Sequence, residues 1–169
     1  MSTNVELLIN KYRSKGILFD ANLALLYLVG GYNLGLIGDG KYNKLSDYTK
    51  DDYHLLLRLK KHFKSVVTTP HVLTEVSNLA NDLPESTKMN CLKRFYDTFA
   101  SIDELAIPSM DAAQRADFHF LGLTDSALAH VSGRFLIVTL DGRLVKKMEE
   151  SQLEALNFNH LRQRYLLLN

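Results

Sequence analysis

One cysteine, Cys91, is all that this chain of 169 residues carries. It can therefore form no internal disulfide, and no zinc site built on cysteines is open to it. A reducing, cytoplasmic setting is the expectation. The N-terminus lacks the charged-then-apolar order of a signal peptide, and the longest apolar run, around 23–29, is too short to cross a bilayer. No membrane is expected among its partners. A strong charge of either sign is missing too. The net charge is +1, so any attraction for a polyanion must be local. Gly-rich phosphate loops, nucleotide fingerprints and the Gly-x-Ser-x-Gly turn are absent. None of the six histidines has metal-ligand spacing with another His or with Cys91.

What is present is an ordinary globular composition, 46% hydrophobic and 23% charged, in a length that suits one domain over 1–169. Thr3-Asn4-Val5-Glu6 has capping-box spacing and opens a helix over about 3–15. Short apolar runs then alternate with helical periodicity. Strands are expected at 17–19, 65–69, 102–107, 135–139 and 155–158, the third suited to a sheet edge by Asp103-Glu104. Helices are expected at 22–29, stopped by Gly30-Gly31, and at 49–62. Pro70 opens another to about 82. Ser86 or Thr87 caps one to about 100, and Ser109 caps one to about 120. Further helices fit 124–131 and 142–150, with a turn or two at the C-terminus. The Gly-rich stretch 30–52 reads as a surface insertion. This alternation specifies a three-layer α/β/α sandwich around a mainly parallel sheet of four to five strands. Such sheets bind ligands beyond the carboxyl ends of their strands, at the switch in strand order.

At those strand ends the sequence places acids. Asp20 closes the apolar run Ile17-Leu18-Phe19, and Asp141 follows Thr139-Leu140. Asp125 opens a helix, and Glu75 lies one turn into the helix after the second strand. Each alone has an ordinary explanation as a helix cap, a turn residue or a favourable charge near a helix start. Gathered in one cleft, however, four carboxylates repel unless cations lie between them, and oxygen-rich sites of this kind suit Mg²⁺ or Mn²⁺.

Four stretches carry a resemblance: Ile17-Leu18-Phe19-Asp20-Ala21-Asn22, Thr69-Pro70-His71-Val72-Leu73-Thr74-Glu75, Gly122-Leu123-Thr124-Asp125-Ser126, and Ile137-Val138-Thr139-Leu140-Asp141-Gly142-Arg143. Together and in this order they resemble the signatures of PIN-domain nucleases. The resemblance implies that Asp20, Glu75, Asp125 and Asp141 are catalytic and hold the metal. Asn22 and Thr139 match the family's supporting positions. Asn78, one turn beyond Glu75, shares that helix face by spacing. Arg143, in the basic group just after Asp141, is placed to hold substrate phosphates. The resemblance further implies hydrolysis of RNA phosphodiesters through a metal-activated water. The N-terminal helix and the 30–52 insertion depart from the compact bacterial toxin nucleases, which leaves toxin status, an antitoxin or other inhibitory protein, and a homodimer as open partner questions. Two alternatives stand beside the ribonuclease: a catalytically idle PIN module that binds RNA or protein, and a DNA-directed nuclease of the same fold. Tyr32, Tyr42, Tyr48 and Tyr53 near the insertion have two readings, stacking on unpaired bases or packing of the loop. His71 could approach the acids or serve as a packing residue.

Overall fold

The computed structural model describes residues 2–40 and 42–168, with the side chains of 2–4 and 164–168 left aside. Five parallel strands, β1 (Ile17–Phe19), β2 (Val66–Thr68), β3 (Asp103–Glu104), β4 (Leu136–Thr139) and β5 (Ala155–Asn157), form one sheet in the order β3-β2-β1-β4-β5. Helices flank it on both faces in a three-layer α/β/α arrangement: α1 (Ser2–Tyr12), α2 (Ala21–Tyr32), α3 (Lys50–Lys60), α4 (Pro70–Ala80), α5 (Glu85–Phe99), α6 (Ser109–Ala113), α7 (Phe118–Val131), α8 (Gly142–Glu150) and α9 (Phe158–Leu168). The chain leaves β1 in one direction through β2 and β3, then returns to place β4 on the other side of β1. The switch in strand order therefore lies between β1 and β4.

The strands owe their positions to burial. Ile17, Leu18, Leu136, Ile137 and Val138 are fully buried, as expected for parallel strands covered on both faces. At the edge, β3 exposes both its acids, and the charge guards against pairing with another chain. The capping box read at Thr3 falls on side chains outside the described residues.

Several local expectations need correction. Gly30-Gly31 does not stop α2, which continues to Tyr32. Gly30 is there because α3 packs hard against it: a Cβ at that position would lie 2.4 Å from Tyr53 Cδ2. Nor is 30–52 merely a surface excursion. Two short 3₁₀ turns, Leu34–Leu36 and Asn43–Leu45, fold it back so that Ile37, Tyr42, Leu45 and Tyr48 join the core. Burial removes Tyr42 and Tyr48 from any base-stacking role. Pro84 and Pro108, not Ser86, Thr87 or Ser109, precede α5 and α6. The helix from Ser109 ends at Ala113, because Arg115 donates twice to Asp117, at 2.9 and 2.8 Å, and ties the turn into α7. The C-terminal turn or two is a helix of eleven residues, α9.

Candidate active site

Asp20 follows β1 directly and caps α2. Its Oδ1 accepts from the Leu23 N–H at 2.8 Å, and its Oδ2 accepts from the Thr139 hydroxyl and from the Leu140 N–H at 3.3 Å. The register explains the meeting with Thr139. Phe19 pairs with Val138, so the next residues along both strands, Asp20 and Thr139, stand side by side. Thr139 is fully buried and also accepts from the Asp141 N–H at 2.9 Å, so one hydroxyl links the two acids across the switch point. Asp141 caps α8 by accepting from the N–H groups of Arg143 and Leu144, at 2.7 and 3.3 Å.

Glu75 and Asp125 arrive from helices. Glu75 is half-buried one turn into α4, which Pro70 opens with Thr69 as its cap. Asp125 lies half-buried on α7, just past Gly122. That glycine has φ 73° and ψ −176°, which breaks the helix and restarts it at the level of the acids. The reading that a new helical segment begins near Thr124 or Asp125 thus has its physical cause in Gly122.

Two of the four feel the charges of the others. The carboxyl of Asp125 is pushed up to about 7, first by burial and then by the negative charges of Asp141, Asp20 and Glu75. That of Asp20 rises to about 6, chiefly by burial, although its three hydrogen bonds pull the other way, and Glu75 adds to the rise. One cation works against this field: Arg143, whose guanidinium is 3.5 Å from Asp141 Oδ2 but whose side chain is 91% exposed. Water screens an ion pair of that kind strongly. Among the described residues, no group of three or more His, Cys, Asp or Glu is arranged to hold a metal ion by itself. In residue type alone, a set made only of carboxylates is the kind that Mg²⁺ or Mn²⁺ takes. All the donors are carboxylates with little compensating charge, and such ions are commonly held by one or two carboxylates with waters filling the shell.

The supporting residues divide. Thr139 is a direct partner of Asp20, whereas Asn22 and Asn78 are exposed. Asn78 lies one turn beyond Glu75 and shares a groove with it. Cys91 is fully buried and its thiol is pushed up to about 11 by burial, so it is no nucleophile.

Sequence reasoning missed three contributors. Tyr48 is buried within electrostatic reach of Asp20, whose charge, after burial itself, holds the phenol in its neutral form. Arg162 of α9 stacks over the Tyr48 ring at 5.3 Å and donates twice to the buried Asp52, at 2.7 and 2.9 Å. Asp52 in turn completes a capping box with Thr49, and the Thr49-x-x-Asp52 spacing was the one visible signal of it. The third is Phe120, 67% exposed at the start of α7, with Lys147 Nζ 4.7 Å from its ring centre. The exposed aromatic on the acid-bearing helix is therefore Phe120, not an insertion tyrosine.

A pH dependence follows for the metal-free protein. Asp20 and Asp125 have folded-state pKa values above the usual 3.8, so folding takes up protons between about pH 4 and pH 7. Their contribution to stability is complete below pH 3.8 and is lost as pH rises through about 6 and about 7. The lowered carboxyls of Asp117, Glu150 and Glu154 act with the opposite sign, below that window. In chelator, stability should fall by about 2 kcal/mol from pH 5 to pH 8, allowing for screening of the half-buried Asp125. Urea titrations at the two pH values measure it. A flat or rising profile would contradict the burial of these two carboxyls.

No protein-family model, curated protein or solved structure matches this chain. Among the described residues, no helix is long and apolar enough to cross a membrane.

Proposed function

We propose that the chain is a divalent-cation-dependent endoribonuclease of the PIN type, acting in the cytoplasm. The observation that carries this reading is the acid cluster itself. Four carboxyls from β1, α4, α7 and the β4–α8 corner share one field at the switch point, where an exposed Arg143 is their main counter-charge. The resemblance of the four stretches to PIN signatures supports the choice of family, and the strand order is compatible with it.

When bound, Mg²⁺ or Mn²⁺ supplies polarisation of a phosphoryl oxygen and acidification of a water. The protein's part is positional. Thr139 donates to the Asp20 carboxylate and accepts from the Asp141 N–H, which ties the positions of the two acids together. Asp125 and Glu75 add two further carboxyls within electrostatic reach of Asp20. Arg143 projects into solvent beside Asp141 and can meet a strand phosphate there. Phe120, with Lys147 beside it, offers an aromatic face to an unpaired base. An antitoxin or other inhibitory protein and a second copy of the chain stay proposed partners in addition to RNA.

The purified chain should cleave single-stranded RNA with Mn²⁺ or Mg²⁺ and stop on chelation, leaving 5′-phosphate ends. A matched DNA strand tests the DNA-directed alternative. If RNA is bound but never cut at any metal concentration, the idle-module alternative replaces this one.

A further inference from the structure

A groove of about 520 Å³ lies between α4, α6 and α7, lined among others by His71, Glu75, Asn78, Ser109, Leu123 and Thr124. We propose that it receives one unpaired nucleobase of the strand, next to the phosphate that is cut, and that Asn78 and the His71–Ser109 pair read its edge. This rests on the nuclease reading for the identity of the strand, but not for the groove.

Two junctions join the groove to the acids. Glu75 lines the groove and also raises the carboxyls of Asp20 and Asp125. Leu123 and Thr124 line it as well, and the next residue is Asp125. A strand whose phosphate lies against the acids thus has this groove as its immediate neighbour. The size falls within the range of sites that enclose small organic ligands.

The lining decides which part of a nucleotide fits. Among the described lining residues none is lysine or arginine, and Glu75 is negative, so a phosphate has nothing to hold it there. The side chains present are neutral donors and acceptors beside an apolar wall. Asn78 offers both an amide donor and a carbonyl acceptor, the pair that a base edge requires. Leu123, 39% exposed just after the Gly122 break, gives a ring a face to lie against. His71 Nε2 stands 3.3 Å from Ser109 Oγ, which fixes the imidazole, while its Nδ1 is buried with no hydrogen-bond partner among the described residues. A base still paired in a duplex cannot enter such a groove, so the strand must be unpaired there.

The test uses the full chain in chelator, where nothing is cut. Backbone amide shifts are followed by NMR on titration with each of the four ribonucleoside 5′-monophosphates, and with ribose 5-phosphate as the baseless control. We expect shifts at residues 71–78, 109–110 and 123–124 that differ among the bases and are absent with ribose 5-phosphate. Ser109→Ala and His71→Gln should each weaken the preferred nucleotide about threefold to tenfold, the worth of a single hydrogen bond. Equal shifts with ribose 5-phosphate, or no shifts in these segments, would overturn the proposal. Base-dependent shifts in a chain that never cleaves RNA would leave the groove standing and sink the nuclease. Metal-dependent cleavage with base-independent shifts would do the reverse.

Discussion

Asp125→Asn should reduce RNA cleavage in Mn²⁺ by about a thousandfold or more, while making the metal-free protein more stable at pH 8. The first effect follows from the role proposed for the cluster. Charge stabilisation by a bound divalent ion is worth several kcal/mol in the transition state, and each 1.36 kcal/mol is roughly tenfold in rate. Asparagine keeps the shape of aspartate but removes the charge that would draw the ion. The second effect follows from burial and repulsion, which hold this carboxyl at about 7 in the fold. At pH 8 its ionised form works against folding, and the amide relieves a cost of about 2 kcal/mol once solvent screening is allowed for. Asp20→Asn should behave alike in activity, but there the amide must replace an oxygen that accepts from Thr139 and Leu140, so its stability gain is smaller. Lost activity together with gained stability cannot be ascribed to misfolding. Turnover within tenfold of the unmodified chain, or a fall in pH 8 stability, would count against the site.

Arg162→Ala should act in the opposite sense, lowering stability by about 2–3 kcal/mol and the melting temperature by roughly 5–10 °C. Its guanidinium grips Asp52 in two bonds, reaches Asn159 Oδ1 at 3.1 Å, and stacks on both Tyr48 and Phe158. Asp52 is 6% exposed, so removing the arginine leaves a buried carboxylate with only its capping bonds. The figure lies below that for a fully buried pair, because the Arg162 side chain is 25% exposed. Lysine cannot reproduce the paired geometry or the stacking, and should recover less than half of the loss. Tyr48 contacts this clamp and feels the charge of Asp20, so RNA cleavage should fall as well, at temperatures where the variant is still folded. A melting temperature within 2 °C of the unmodified chain, by the same scaling, would show that α9 is held by its apolar contacts alone.

What could be read from the chain and what could not divide along the range of the interactions. The apolar runs 17–19 and 135–139, the Pro70 helix start and the Asp141-Gly142 corner are local signals, and each element forms where its own residues favour it. The positions of Asp20 and Asp141 as helix caps just past strands were legible too, because periodicity already marks those boundaries. The errors fell where a distant contact overrode a local preference. Gly30-Gly31 looked like a helix stop, yet the Tyr53 ring needs the space beside Gly30 and the helix runs on. The insertion looked like surface because its glycines and polar residues outnumber the apolar side chains that bury themselves.

The sequence by itself determined the alternation of elements and the layer architecture, because these depend on short periodicities. Only the tertiary structure decided that β4 lies beside β1 and so sets Thr139 against Asp20. Only it decided that Arg162 reaches back 110 residues to Asp52, and that Tyr48 comes to lie near Asp20. The reason is physical. A hydrogen bond or a shared electric field depends on distance in space, and the chain's order carries that distance only where neighbours in sequence are also neighbours in the fold.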